Sequence, residues 1–265
     1  MIKDITLGQY LPGESVLHKS DPRIKILLTT LLMVVIFLID SYLGFIALSA
    51  FLLIVILVSN IPLKYTLKGL KPVMFIVAFT VVINAFTTKG TPILDIGMFH
   101  VTYEGLEISI LMAFRLFLLI IGASLMTLTT TPISLTDGLE KLMSPFKKLG
   151  LPAHEIAMMM SIALRFIPTL LEETDKIMKA QAARGAEFDT GSLVQRAKSF
   201  VPVLVPLFIS AFRRADELAT AMEARCYRGS KGRTRMKQLK LSAVDLKISA
   251  VTLIFLTGLL ILQYI

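Results

Sequence analysis

The sequence has no tryptophan, one cysteine (Cys226) and three histidines (His18, His100 and His154) in 265 residues. A lone cysteine excludes an intrachain disulfide. The histidines are far apart, and His154-Glu155 opens like an H-E-x-x-H zinc helix but has Met158 where the second histidine must stand. No G-x-x-x-x-G-K-[ST] stretch is present to cradle a nucleotide's phosphates, and no G-x-S-x-G to raise a nucleophilic serine. The chain therefore reads as non-catalytic, with no cofactor and no metal site. The segment 1–22 lacks the short charged-then-apolar plan of a cleaved signal peptide, so the first hydrophobic segment is expected to stay. Acids are also few, 19 against 28 Lys and Arg.

What is abundant is apolar. Hydrophobic residues make up 55% of the chain, and mean hydropathy is +0.74. Such a chain is too apolar for a soluble domain of this size, which points to a bilayer. Apolar runs at 24–39, 43–58, 73–86, 106–128 and 243–261 read as five membrane helices, the first two joined by a tight turn at 40–42. The stretch 87–102 reads as a loop.

A net charge of +9 fits either nucleic-acid binding or the cytoplasmic loops of a membrane protein. The pattern favours the second. Lys3, Lys19, Arg23 and Lys25 precede the first span, and Lys64, Lys68 and Lys71 separate the second from the third. The region 131–240 holds 18 of the 28 basic residues against 11 acids. Basic loops stay inside, so the N-terminus is placed in the cytoplasm and the chain in the cell membrane. The expected fold is an all-α polytopic membrane protein: a four-span domain at 1–130, a helical cytoplasmic domain at 131–240 that is partly membrane-associated, and a last span at 241–265. Asn84 and Arg115 are polar residues inside spans, hence functional candidates. A structural role on a neighbouring helix is the favoured reading of both.

Within 131–240, residues 139–149 form a short amphipathic stretch, and 153–184 and 193–225 are two long helical patterns. Each of the two is apolar first (156–171 and 200–212) and charged later. A helix of about 32 residues is about 48 Å long, beyond a hydrocarbon thickness of about 30 Å. The apolar halves either begin against the membrane or form one more membrane hairpin.

The two patterns end alike, in A-Q-A-A-R-G-A (180–186) and A-M-E-A-R-C-Y (221–227). At an offset of 41, Asp175 matches Asp216, Ala180 matches Ala221, Ala183 matches Ala224 and Arg184 matches Arg225. One reading is helix capping: a cation suits the last turn, and Gly185 suits a left-handed residue after it. Asp175 and Lys179 would then be a surface pair. Cys226 has no special tolerance for positive φ, which weakens capping at the second end. The other reading is a pair of docking knobs, with small residues around an arginine whose planar fork matches carboxylates.

Three stretches resemble the transmembrane T component of energy-coupling factor (ECF) transporters, EcfT. They are G-Q-Y-L-P-G followed by D-P-R-I-K (Gly8–Gly13 and Asp21–Lys25), Ala183-Arg184-Gly185, and A-M-E-A-R-C-Y-R-G (Ala221–Gly229). The resemblance implies that Ala183, Arg184, Gly185, Ala224, Arg225 and Cys226 are ATPase-docking residues closing two crossed coupling helices. Cys226 departs from the glycine often found there. It also implies a short further coupling helix at 139–149. The implied partners are two ABC-type ATPase subunits (EcfA and EcfA′ type), a membrane S component that carries a vitamin or other micronutrient, and the lipid bilayer, with no nucleic acid. Two other classes stay open: the membrane subunit of a conventional ABC importer with its own substrate pathway, and a membrane scaffold with a basic cytoplasmic domain.

Overall fold

The computed structural model describes residues 10–88, 91–96, 99–188, 190–229 and 239–264. Gly8 and Gln9 of the first stretch, and the basic run at 231–237, lie outside the described residues. The chain divides into two compact units.

The first unit comprises Gly8–Gly138 and Gln238–Ile265. Its helices are α1 (Val16–Lys19), α2 (Pro22–Leu38), α3 (Tyr42–Ser59), α4 (Leu63–Lys68) and α5 (Lys71–Thr87). A hairpin of β1 (Pro92–Ile96) and β2 (Phe99–Thr102) follows, then α6 (Tyr103–Thr129) and the start of α7 (Pro132–Met143), with α10 (Ala243–Tyr264) closing the unit. The fold is all-α apart from that hairpin. The expected loop at 87–102 is thus corrected: β1 and β2 pair antiparallel, Leu94 opposite Val101 and Ile96 opposite Phe99. The β-branched and aromatic residues at 93, 96, 99 and 101, and a glycine at 97, are the sequence signals for it.

Helices α3, α6 and α10 are long and apolar enough to cross a membrane. With 17 residues each, α2 and α5 are about 26 Å long, slightly short of the hydrocarbon layer. Hydrophobicity cannot hold such helices to one another in lipid, so close packing must. Phe45, Leu48, Leu52 and Ile56 form one buried stripe of α3, packed in a core with Val35, Ile36, Leu118 and Leu125. Gly122 lets α6 approach α2: a Cβ there would lie 3.2 Å from Leu32 Cδ2. Phe51 and Phe255 stack with ring centroids 4.3 Å apart.

The polar contacts of this unit sit at its helix ends. Arg115 Nη2 donates to the Ile39 carbonyl at 2.7 Å and to Asp40 Oδ1 at 2.8 Å, with its guanidinium 5.8 Å from the Phe45 ring centroid. This is the structural role expected of Arg115: it holds the α2–α3 turn to α6. The carbonyl of Asn84 accepts the Thr88 N–H near the end of α5. At the other end, the D-P-R-I-K stretch forms a buried charged cluster. Asp21 caps α2 by accepting the Arg23 N–H at 2.9 Å, and the Arg23 side chain grips the same carboxylate at 2.7 Å. The Asp21 N–H donates to Asp245 Oδ1 of α10 at 2.7 Å. Arg23 also reaches the Leu239 carbonyl at 3.2 Å. Lys25 Nζ donates to the Thr129 carbonyl at 3.1 Å, and the Leu11 N–H donates to the Leu128 carbonyl at 3.0 Å. These are carbonyls that the C-terminus of α6 leaves without helical donors. Burial pushes the Asp21 carboxyl up, but the Arg23 hydrogen bonds and charge outweigh it and hold it below its ordinary value. That contribution to stability is whole at neutral pH and is lost as pH falls below about 4.

The second unit comprises Leu139–Lys237 and is built on α8 (Ala153–Ala183) and α9 (Leu193–Ala224). The amphipathic stretch expected at 139–149 is split, because α7 ends at Met143 and Ser144–Leu149 is a 3-10 turn. Pro145 has no N–H to continue the α-helix. Among the described residues, α8 also meets the length and composition needed to cross a membrane. Its apolar first half carries that property.

Asp245 is 2% exposed, and removing it leaves the buried Asp21 N–H and the Ser242 N–H without their acceptor and takes a negative charge from beside Lys25 and Arg23. Asp245→Ala is expected to destabilise the protein by about 3 kcal/mol or more. Thermal unfolding of the detergent-solubilised protein measures this as a lowered midpoint.

Candidate functional site

The two arginine-bearing ends have one geometry. Arg184 is the last half-helical residue of α8. Beyond it Gly185 has φ +88°, its N–H donates to the Ala182 carbonyl at 3.0 Å, and the Ala186 N–H donates to the Gln181 carbonyl at 3.0 Å. Arg225 holds the same place in α9. Cys226 has φ +56°, its N–H donates to Glu223 at 2.8 Å, and the Tyr227 N–H donates to Met222 at 3.0 Å. Both are Schellman ends, in which a left-handed residue folds two N–H groups back onto orphan carbonyls. The doubt raised by cysteine is therefore corrected: Cys226 takes the glycine conformation, at a backbone cost of about 1 kcal/mol. Capping is present at both ends.

Capping also fixes how the arginines are presented. A left-handed residue turns the chain sharply away from the helix axis. Arg184, Arg225 and the flanking Ala180, Ala183, Ala221 and Ala224 are all exposed. Neither guanidinium has a hydrogen bond or an ion pair among the described residues. The pair expected between Asp175 and Lys179 is present, at 2.6 Å.

The relation between the ends comes from contacts inside the unit. Arg214 Nη2 of α9 donates to Glu173 Oε2 of α8 at 2.8 Å. Further along α8 and further back along α9, Gln181 Nε2 donates to the Pro202 carbonyl at 3.5 Å. The register runs in opposite senses, so the helices are antiparallel. The Gln181 bond has a local cause. Pro206 has no N–H to give to the Pro202 carbonyl four residues before it, and a side chain from α8 supplies the missing donor. Phe188 and Phe200 pack beside it, with centroids 5.3 Å apart.

Arg184 lies eleven residues beyond Glu173, and Arg225 eleven residues beyond Arg214. The ion pair therefore stands midway between two arms, each about 16 Å long by helical rise. The arginines occupy opposite ends of the hairpin, about 33 Å apart along its axis. Sequence reasoning paired the arginines but missed Glu173, Arg214 and Gln181, which set their separation. On α9, Val201, Leu204, Val205, Phe208, Ile209 and Phe212 form an exposed apolar stripe, at the spacing of one helical face.

Known proteins match this chain along its length. The family model for CbiQ, described as cobalt transport protein, matches residues 13–236. An energy-coupling factor transporter transmembrane protein EcfT of Ruminiclostridium cellulolyticum is 61% identical over 265 residues, covering 100% of this chain and 99% of that protein. Proteins of the same name from Thermosediminibacter oceani and Bacillus subtilis are 55% identical over 264 residues and 47% identical over 261. The first covers 100% of both chains and the second 98% of both.

The Schellman ends make a local prediction. Gly185→Ala forces a β-carbon into a left-handed position and is expected to speed amide exchange at Ala186 about fivefold, the equivalent of about 1 kcal/mol. Cys226→Gly relieves that strain and is expected to slow exchange at Tyr227. Hydrogen–deuterium exchange with mass spectrometry reads both.

Proposed function

From the premise that this chain belongs to the CbiQ family, we propose that it is the transmembrane coupling subunit of an energy-coupling factor transporter. Its partners in this reading are two ATPase subunits and an S component that captures a vitamin or other micronutrient. The chain contributes neither the nucleotide site nor the substrate site. It is a membrane protein, and its placement in the cell membrane with the N-terminus in the cytoplasm belongs to the same proposal. The names of the relatives do not favour an importer with its own substrate pathway or a non-transport scaffold.

One observation carries the reading: two arginines, without a hydrogen bond or ion pair among the described residues, end two antiparallel helices in the same backbone motif, at opposite ends of one hairpin. A single ligand site would not need two equal, separated contacts. Two similar partner subunits would. In this account Ala183, Arg184 and Gly185 dock into an acidic groove of one ATPase subunit, and Ala224, Arg225 and Cys226 into that of the other. ATP draws the two ATPase subunits together and the arginine ends move with them. The helices turn about the Glu173–Arg214 contact and shift the surface that holds the S component, which releases substrate to the cytoplasm. Nucleotide drives this only by binding the closed ATPase pair more tightly than the open one. The exposed apolar stripe of α9 is suited to the apolar surface of a membrane partner.

Arg184→Ala and Arg225→Ala are each expected to weaken ATPase binding by about 2 kcal/mol or more, as removal of a charged interface anchor does. The double variant should lose the ATPase subunits on co-purification. Their recovery at wild-type yield sinks the docking account.

A further inference from the structure

The α8–α9 pair carries a repeat that docking at two single arginines does not use. On α8, Met158, Ile162 and Arg165 follow one another at intervals of four and three, and on α9 Leu218, Met222 and Arg225 do the same. Those intervals keep each trio on one helical face. Both faces open onto one cavity of about 580 Å³, which Arg228 also lines. Because the helices are antiparallel, the two trios run in opposite order. In the register set by Glu173 and Arg214, Arg165 falls level with Met222 and Arg225 level with Ile162, so the cavity has an apolar lining of Met158, Ile162, Leu218 and Met222 around these two arginines, with Arg228 beside them. Arg165 and Arg225 are about 5 Å apart along the helix axes. Among the described residues Arg165 and Arg228, like Arg225, have no hydrogen bond or ion pair.

We propose that this cavity is a socket for an acidic segment of an ATPase subunit, one that seats an apolar side chain against the apolar lining and carboxylates on the arginines. The proposal rests on the docking reading and adds to it. The contact at the α9 end is a knob and a socket together, with Arg165 and Arg228 as further binding residues. The chemistry favours such an occupant. Unpaired guanidinium groups take carboxylates through two parallel hydrogen bonds. An apolar anchor ringed by charges is the usual composition of an energetic interface centre. The cavity is also continuous with Arg225, which the docking reading already places against an ATPase subunit, and this favours an ATPase segment over a lipid headgroup.

The test uses the assembled complex of this chain with its ATPase subunits. Arg165 and Arg228 are exposed, so Arg165→Ala and Arg228→Ala are compatible with folding. Each is expected to weaken ATPase binding at least fivefold. Cys226 is the sole cysteine, so Cys226→Ser combined with Ile162→Cys places one thiol in the cavity lining. Bound ATPase should slow its reaction with maleimide at least tenfold. An unchanged labelling rate with ATPase bound, or full affinity in both arginine variants, overturns the socket and leaves docking at Arg184 and Arg225 standing. Failure of the wild-type chain to hold the ATPase subunits overturns the docking reading itself. Protection of the thiol by nanodiscs of anionic phospholipid without ATPase assigns the cavity to lipid and overturns the socket.

Discussion

The long-helix unit turns on one interaction, the ion pair between Glu173 and Arg214. It is partly exposed, with side chains 24% and 37% accessible, so its energy is modest, about 1 kcal/mol or less. Its importance is positional. It joins two helices of 31 and 32 residues by an ion pair and leaves equal lengths between it and each arginine. A contact that is local and weak lets two rigid rods change their angle without unfolding. A seam of apolar packing along the full length would forbid it. Gln181 and Phe188 steady one side of the ion pair, and on the other the helices part around a cavity.

The membrane unit is built on the opposite plan. Its helices are locked at their ends by Arg115 on one side and by the Asp21, Arg23, Lys25 and Asp245 cluster on the other. Such buried charges are costly unless every partner is present. Here Lys25, Leu11, Asp245 and Arg23 supply donors and acceptors to helix ends that would otherwise be unsatisfied. In the proposed function, a stiff membrane unit and a pair of long helices that can turn against each other are what a transmission between ATPase motion and substrate release requires.

Much of this was legible in the sequence. The apolar runs gave the helices α2, α3, α5, α6 and α10 because lipid demands continuous helices, and Arg115 was expected to serve a neighbouring helix, as it does. The paired arginines were legible as an offset of 41 residues. Glu173 and Arg214 lie at that same offset, but an acid matched with a base is invisible to a search for identities. Cys226 was misjudged because residue preference was weighed against a left-handed conformation that the end of α9 imposes regardless. The hairpin at 92–102 was missed because its strands are only five and four residues long. The split of the 139–149 stretch follows from Pro145, whose missing N–H was given too little weight. The D-P-R stretch was recognised only by likeness, because its partner, Asp245, is 224 residues from Asp21.

The central claim is that nucleotide turns α8 and α9 about the Glu173–Arg214 contact. The most direct test is the distance between spin labels at positions 179 and 220, both exposed, in a Cys226→Ser background, measured by electron double resonance in the assembled complex. The account predicts a shorter distance with ATP bound than without it. An identical distance distribution in both nucleotide states of a transport-active complex would contradict it.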